Sequence, residues 1–288
     1  MGCVTGAPIP IKGMQPDYRV HDLDPFLIQF SEGFGIRYYG LAYLLGFAAA
    51  VFLLHLYYRK GRSPLESGQL TDLLTYLIIG VLVGGRLGYF LLYQTSSFAR
   101  DPLVLFRVWE GGMASHGGFL GVLAAVWWWA RKRNIALLQV TDLVSTVTAA
   151  GLLFGRIANY INGELWGKVT DVPWAVIFPQ SAPPNTPLLL IEPRHPSQLY
   201  QAALEGGVLL AWMQWRFWRS DARMKPGRLT GEFLVAYAIL RMIGEHFREP
   251  DASLLFGVSR GTFYSVFLIV GGIGLILWSR RAAPTGKT

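Results

Sequence analysis

The chain has 288 residues, of which 52% are hydrophobic and only 15% charged, and its net charge is +8. A soluble domain carries about 25% charged residues, so the composition excludes an ordinary water-soluble globule and points to a bilayer as solvent. Nucleic acid is not the expected partner: the basic residues gather at the ends of apolar runs, as in membrane proteins, and form no stripe on a polar surface.

In chain order, residues 1–35 hold Pro8, Pro10, Pro16, Pro25 and scattered charges, without the apolar core of a signal peptide. They are expected to form an extracytoplasmic or interfacial arm, leaving the first span as its own targeting signal. The single cysteine, Cys3, lies in this arm, which excludes an internal disulfide framework, a cysteine metal cluster and a Cys-His nucleophile further along. Apolar runs follow at 36–58, 73–93, 116–130, 143–161, 199–217, 233–247 and 263–278. They predict an all-α integral membrane protein of about seven spans; some runs fall short of the roughly 20 residues of a full crossing and need flanking residues to complete them. Residues 36–279 thus form one transmembrane domain, and 280–288 a tail.

Basic clusters follow alternate spans: Arg59, Lys60 and Arg62; Arg131, Lys132 and Arg133; Arg216, Arg219, Arg223, Lys225 and Arg228; and Arg280, Arg281 and Lys287. The other loops are poorer in Lys and Arg, so the N-terminus is expected outside and the C-terminus in the cytoplasm. Trp127, Trp128 and Trp129 beside one cluster read as an interfacial aromatic belt. Two outer segments are more than connectors. The run 101–110 fits an interfacial amphipathic helix. The proline-rich stretch 162–197 fits a small irregular extracytoplasmic cap.

An ionisable residue inside a span costs about 2.5–3.5 kcal/mol on insertion scales and marks function by default. Arg86, Arg156 and Arg241 qualify, and with the derived orientation all three lie in the outer halves of their helices, at the depth of His116. Gly80, Gly84 and Gly88, then Gly117 and Gly121, and Gly151 and Gly155, make small-xxx-small faces that serve close helix packing. A guanidinium offers a planar fork for phosphate oxygens, and at this depth the plentiful phosphate is a lipid headgroup. Arg241 and Glu245, four apart, could equally neutralise each other. Arg156 has Asn159 on its face and no acid within the preceding turn, so it reads as a ligand site; Glu164, past the helix end, could reach back to it. His116 is either a hydrogen-bonded interfacial histidine or a general base. His195 and His246 compete for the second role, although His195, between Arg194 and Pro196, reads as a loop-ordering residue. Metal, nucleotide and serine-hydrolase motifs are missing, and no cofactor is expected. From the residues alone, the chain holds an outward-facing intramembrane site for a phosphorylated lipid.

The segment from Gly155 through Arg156, Asn159, Asn162, Gly163, Glu164 and Trp166 to Gly167 resembles the signature of the bacterial prolipoprotein diacylglyceryl transferases. Tyr38-Tyr39-Gly40, Gly84-Gly85-Arg86-Leu87-Gly88-Tyr89, Trp109-Glu110-Gly111-Gly112-Met113, His116-Gly117-Gly118, the run from Arg194 to Tyr200, and Arg241 through Asp251 agree in order and spacing. The resemblance implies a seven-span transferase of the bacterial inner membrane, with residues 36–279 as its transferase domain. It implies transfer of the sn-1,2-diacylglyceryl group of phosphatidylglycerol to the lipobox cysteine of a preprolipoprotein, with glycerol 1-phosphate leaving. Its roles fall on His116, Arg156 and Arg241, read as catalytic, and on Tyr39, Asn159, Glu164, Gly167, Tyr237 and Glu245, read as substrate-binding; Arg86, from its place inside a span, is expected to bind substrate as well. In that scheme Tyr39 and Tyr237 orient the headgroup while Asn159 and Glu164 fix the arginines. Gln201, where some members carry an acid, and His246, where an aromatic is common, depart from the pattern. The readings from other classes are a phosphatidylglycerol carrier or flippase and a structural membrane scaffold; a transporter's related, broken half-helices are not evident.

Overall fold

A computed structural model describes residues 18–31, 34–107, 111–250 and 253–281. The expectations for Cys3 and the rest of the arm before residue 18, for Trp109 and Glu110, for Asp251 and for the tail from 282 lie outside these residues.

Short strands lead into the helices. β1 (Arg19–Val20) pairs in parallel with β4 (Val176–Ile177) of the 162–197 segment. β2 (Phe26–Ser31) and β3 (Phe34–Arg37) form an antiparallel hairpin, with the Arg37 guanidinium 4.5 Å from the centre of the Phe26 ring. Because Ile36 and Arg37 belong to this hairpin, α1 (Tyr38–Arg59) begins two residues past the expected start of the first span. Next come α2 (Ser67–Tyr93), whose start carries a capping box between Glu66 and Gln69, and a short α3 (Thr95–Arg100). α4 (Ser115–Lys132) and α5 (Leu137–Ile161) follow. α6 (Ser197–Gln201), a π-helical stretch (Ala202–Val208) and α7 (Leu209–Arg219) make one continuous helical run, and α8 (Arg228–Phe247) and α9 (Arg260–Ser279) complete the bundle.

All seven apolar runs of the sequence are therefore helical. Among the described residues, four helices are long and apolar enough to cross a membrane: α1, α2, α5 and α9. The rest fall short for visible reasons. α4 is long enough but His116, Arg131, Lys132 and three tryptophans lower its hydropathy, the π turn divides the fifth run into α-helical pieces of five and eleven residues, and α8 carries Arg228, Glu232, Arg241 and Glu245. Of the run 101–110, expected as an amphipathic helix, the described residues 101–107 form no α-helix. Asp101 accepts a hydrogen bond from the Leu103 amide at 3.1 Å and starts a separate 3₁₀ turn, Pro102–Phe106, since Pro102 cannot donate back to a preceding helix.

Glycines set the closest helix contacts. A Cβ on Gly80 would stand 2.7 Å from the Gly121 carbonyl oxygen, and one on Gly88 would stand 2.6 Å from the Gly117 Cα, so these residues form the seam between α2 and α4. Their role is packing. The apolar core lies at the end of the bundle that the charge bias assigns to the cytoplasm: Tyr57, Leu70, Leu73, Trp129, Val140, Phe217 and Leu229 are buried there. Tyr57 stacks on Phe217 at 3.9 Å. Trp129 corrects the aromatic-belt expectation. Trp127 and Trp128 are exposed, but Trp129 is fully buried and its indole N–H donates to Asp72 at 2.6 Å. Buried polar groups occur beside this core, as Asp142, Thr146 and Glu232, and again toward the opposite end, as Gln198, Gln201, Glu205 and Glu245.

Candidate functional site: a buried arginine–glutamate centre

Glu205, with 0% of its surface exposed, stands at the centre. Its Oε2 accepts from Arg156 Nη2 at 2.9 Å and Nε at 3.2 Å, and its Oε1 accepts from Arg241 Nη1 at 3.2 Å. Arg241 Nη2 lies 3.3 Å from Glu245 Oε2 one turn along α8, and Arg248 Nη1 is 3.7 Å from Glu245 Oε1. Local backbone explains how three elements meet here. Glu205 sits in the widened π turn, a form frequent at functional sites. Gly206 beside it has no side chain to hold α5 away: a Cβ there would be 2.6 Å from the Leu153 Cα. Tyr237, one turn before Arg241 and stacked on Phe233 at 5.9 Å, lies within electrostatic reach of Arg241, Glu205, Arg156 and Glu245.

A second network closes the end of α5. The helix stops in a Schellman turn, where Gly163 at φ +65° lets its N–H reach the Tyr160 carbonyl at 2.9 Å and the Glu164 N–H reach the Asn159 carbonyl at 3.1 Å. That turn folds Glu164 back over Asn159. The Tyr39 hydroxyl donates to Glu164 Oε1, Asn159 Nδ2 donates to the same oxygen at 2.8 Å, and Asn159 Nδ2 also contacts the Tyr39 hydroxyl. Gln198 Nε2 holds the Glu164 carbonyl at 2.6 Å. Tyr39 is also within electrostatic reach of Arg156, so the two networks are neighbours.

Several expectations change on this geometry. Arg156 is not a lone arginine beside an amide: its partner Glu205 comes from a distant helix. Asn159 and Glu164 bind Tyr39 and each other, not the arginines. Arg86 spends all five of its N–H donors on backbone carbonyls, those of Val104, Leu105, Arg107, Gly111 and Gly112, and covers the Phe90 ring at 4.7 Å. Arg86 thereby ties α2 to the described part of the loop that precedes His116. His116 itself is exposed in the first turn of α4 and makes no hydrogen bond to a described residue. The structure brings it into contact with neither network. Gly167 threads between loop and helix: its N–H donates to the His195 carbonyl at 2.9 Å, and a Cβ there would stand 2.5 Å from that oxygen and 2.7 Å from the Phe247 oxygen.

His195 ties the 162–197 segment to its neighbours. Its N–H donates to the Lys168 carbonyl at 3.0 Å and its Nδ1 lies 3.2 Å from the Tyr200 hydroxyl. Burial, and then the Lys168 charge, hold its imidazole below the usual histidine range. His246 is exposed beside Phe247. Sequence reading missed Glu205 and Gln198, although the signal for Glu205 was available. It is an ionisable residue inside the fifth apolar run, the criterion that had picked out the three arginines.

Fold and site together define an α-helical membrane protein with a charged centre buried among its helices. The profile of the prolipoprotein diacylglyceryl transferases matches residues 25–278. The chain is 44% identical over 275 residues to a protein of Pseudoalteromonas atlantica, covering 92% of each, and 46% identical over 273 residues to one of Pseudoalteromonas translucida, covering 92% of this chain and 96% of that one. It is 40% identical over 295 residues to a protein of Ruegeria pomeroyi, covering 94% of this chain and all of the relative. Each of the three is named phosphatidylglycerol–prolipoprotein diacylglyceryl transferase. The chain belongs to the prolipoprotein diacylglyceryl transferase family.

Proposed function

We infer that the chain is an enzyme that transfers the diacylglyceryl group of phosphatidylglycerol to prolipoproteins. Its acceptor is the thiol of the lipobox cysteine, and it works from the outer leaflet of the bacterial inner membrane. The observation that carries this reading, beside family membership, is a pair of guanidiniums from different helices held on one buried carboxylate. The thiol gives up its proton, sulfur attacks the sn-3 carbon of the diacylglyceryl group, and a C–S bond forms as the C–O bond to phosphate breaks. Glycerol 1-phosphate departs with the bonding electrons. Arg156, whose Nη1 makes no hydrogen bond to a described residue, and Arg241 grip the phosphate and stabilise the charge that develops on it. Glu205 holds both forks at one place, Tyr39 and Tyr237 face the headgroup, and Arg86 and Gly167 position backbone.

The test is formation of a thioether product on a lipobox peptide by the purified protein with labelled phosphatidylglycerol. Lipid exchange without product would favour the carrier reading, which no feature of the site supports.

His116 is the proposed base. His116→Gln should slow transfer by roughly 10²–10⁴, the usual worth of general base catalysis, with lipid binding intact. Near-parental turnover at neutral pH would return His116 to an interfacial role.

The seven helical runs are proposed as seven spans with the N-terminus outside, 162–197 as the outer cap and 280–288 in the cytoplasm. Single cysteines at 168 and 194, with Cys3 replaced, should label from outside, and those at 131 and 219 only after the membrane is opened. Outside labelling at 219 would reverse the orientation.

A further inference from the structure

Gln198, Gln201 and Glu205 are spaced three and four apart and share one face of the α6–π helical run. All three side chains are fully buried. Their neighbours on this face are already committed: Gln198 holds the Glu164 carbonyl, and Glu205 holds Arg156 and Arg241. Gln201 lies between them, and neither its Nε2 nor its Oε1 has a hydrogen-bond partner among the described residues. The Oε1 of Gln198 is likewise unpartnered there. The Gln201 side chain packs over Gly244, between Arg241 and Glu245, where a Cβ would stand 3.0 Å from Gln201 Cγ. A Cβ on Gly244 would be 3.8 Å from Gln201 Nε2 and 3.8 Å from Glu205 Oε1, so amide and carboxylate flank the same spot. Buried amides almost always have partners, and one with both ends unused beside a ligand site calls for a ligand that both donates and accepts.

We propose that Gln201 recognises the terminal glycerol of the phosphatidylglycerol headgroup, its Nε2 donating to one hydroxyl and its Oε1 accepting from the other. This rests on the phosphatidylglycerol reading and deepens it into a specificity device. With the phosphate on Arg156 and Arg241, the rest of the headgroup projects along the same polar face. A vicinal diol is neutral and can satisfy both ends of an amide. An ethanolamine headgroup has donors only, would leave Nε2 unpartnered, and would set its ammonium beside two guanidiniums. Gln201 therefore favours a polyol headgroup over a cationic one.

The test compares parent and Gln201→Met, a near-isosteric change that removes both polar atoms without opening the packing. Both are placed in nanodiscs of phosphatidylcholine carrying either labelled phosphatidylglycerol or phosphatidylpropanol with the same acyl chains, whose headgroup has no free hydroxyl. Equilibrium lipid binding and initial transfer to a lipobox peptide are measured for each pair. The parent should prefer phosphatidylglycerol by about 10–100-fold, the worth of one or two hydrogen bonds. Gln201→Met should lose that preference while binding phosphatidylpropanol as the parent does. Equal weakening toward both lipids, an unchanged preference in the variant, or no preference in the parent would overturn the assignment. Discrimination in binding with no transfer by the parent would uphold Gln201 and instead remove the transferase reading.

Discussion

Arg156→Lys should leave a folded protein that transfers diacylglyceryl about 10²–10³ times more slowly, the usual cost of removing one electrostatic donor from a dry site. Lysine keeps the positive charge and so still balances Glu205, but it replaces a planar fork by a point charge. In the parent, Nε and Nη2 of Arg156 are fixed on Glu205 at 3.2 and 2.9 Å while Nη1 makes no hydrogen bond to a described residue. A single ammonium can stay near the carboxylate or approach a phosphate, but it does not present two rigid edges at once. Arg241→Lys should cost less. Arg241 divides its fork between Glu205 and Glu245, so more of its charge is spent on neutralising acids. The measurement is transfer of labelled diacylglyceryl to a lipobox peptide by each monodisperse variant. Full activity in both lysine variants would remove the phosphate clamp while leaving family membership untouched.

The helices were legible because lipid makes a simple demand on sequence. Backbone polar groups must be satisfied within each segment, so long apolar runs become helices, and all seven did. The ends were less legible. Ile36 reads as the start of a span by hydropathy, yet it pairs across the hairpin with Ile28, and an apolar residue alone does not distinguish a strand lying before the span from its first turn. Trp129 was misread for a related reason. An aromatic run beside basic residues fits an interface, but only the helix periodicity and the distant Asp72 decide which of three tryptophans turns inward. In the site, the arginines were readable because a charge within an apolar run is costly wherever it occurs. Their partners were not, because Glu205 lies 49 residues from Arg156 and 36 from Arg241 in the chain. Nothing local encodes that meeting; it depends on the π turn and on Gly206 letting α5 approach. Arg86 shows the converse limit, since its engagement by loop carbonyls follows from how that loop folds.

Glu205→Gln tests the centre itself and should destabilise the protein by about 3–5 kcal/mol, the cost of breaking a buried ion pair by removing one partner. The substitution is nearly isosteric, so packing around the π turn is preserved and the effect isolates charge. It leaves Arg156 and Arg241, 15% and 17% exposed, facing a neutral amide. Arg241 retains Glu245, but Arg156 has no second carboxylate among the described residues. The coupling can be read by combining Glu205→Gln with Arg156→Met. If one carboxylate serves both guanidiniums, the double variant should be less unstable than the sum of the singles, because the charge that Glu205→Gln orphans has been removed. Transfer should be lost in both, since the phosphate fork is either misplaced or missing. Thermal unfolding of the four proteins in one detergent measures the cycle. Additive losses, or a Glu205→Gln variant as stable as the parent, would show that Glu205 does not organise the arginines, and the phosphate clamp would then need another anchor.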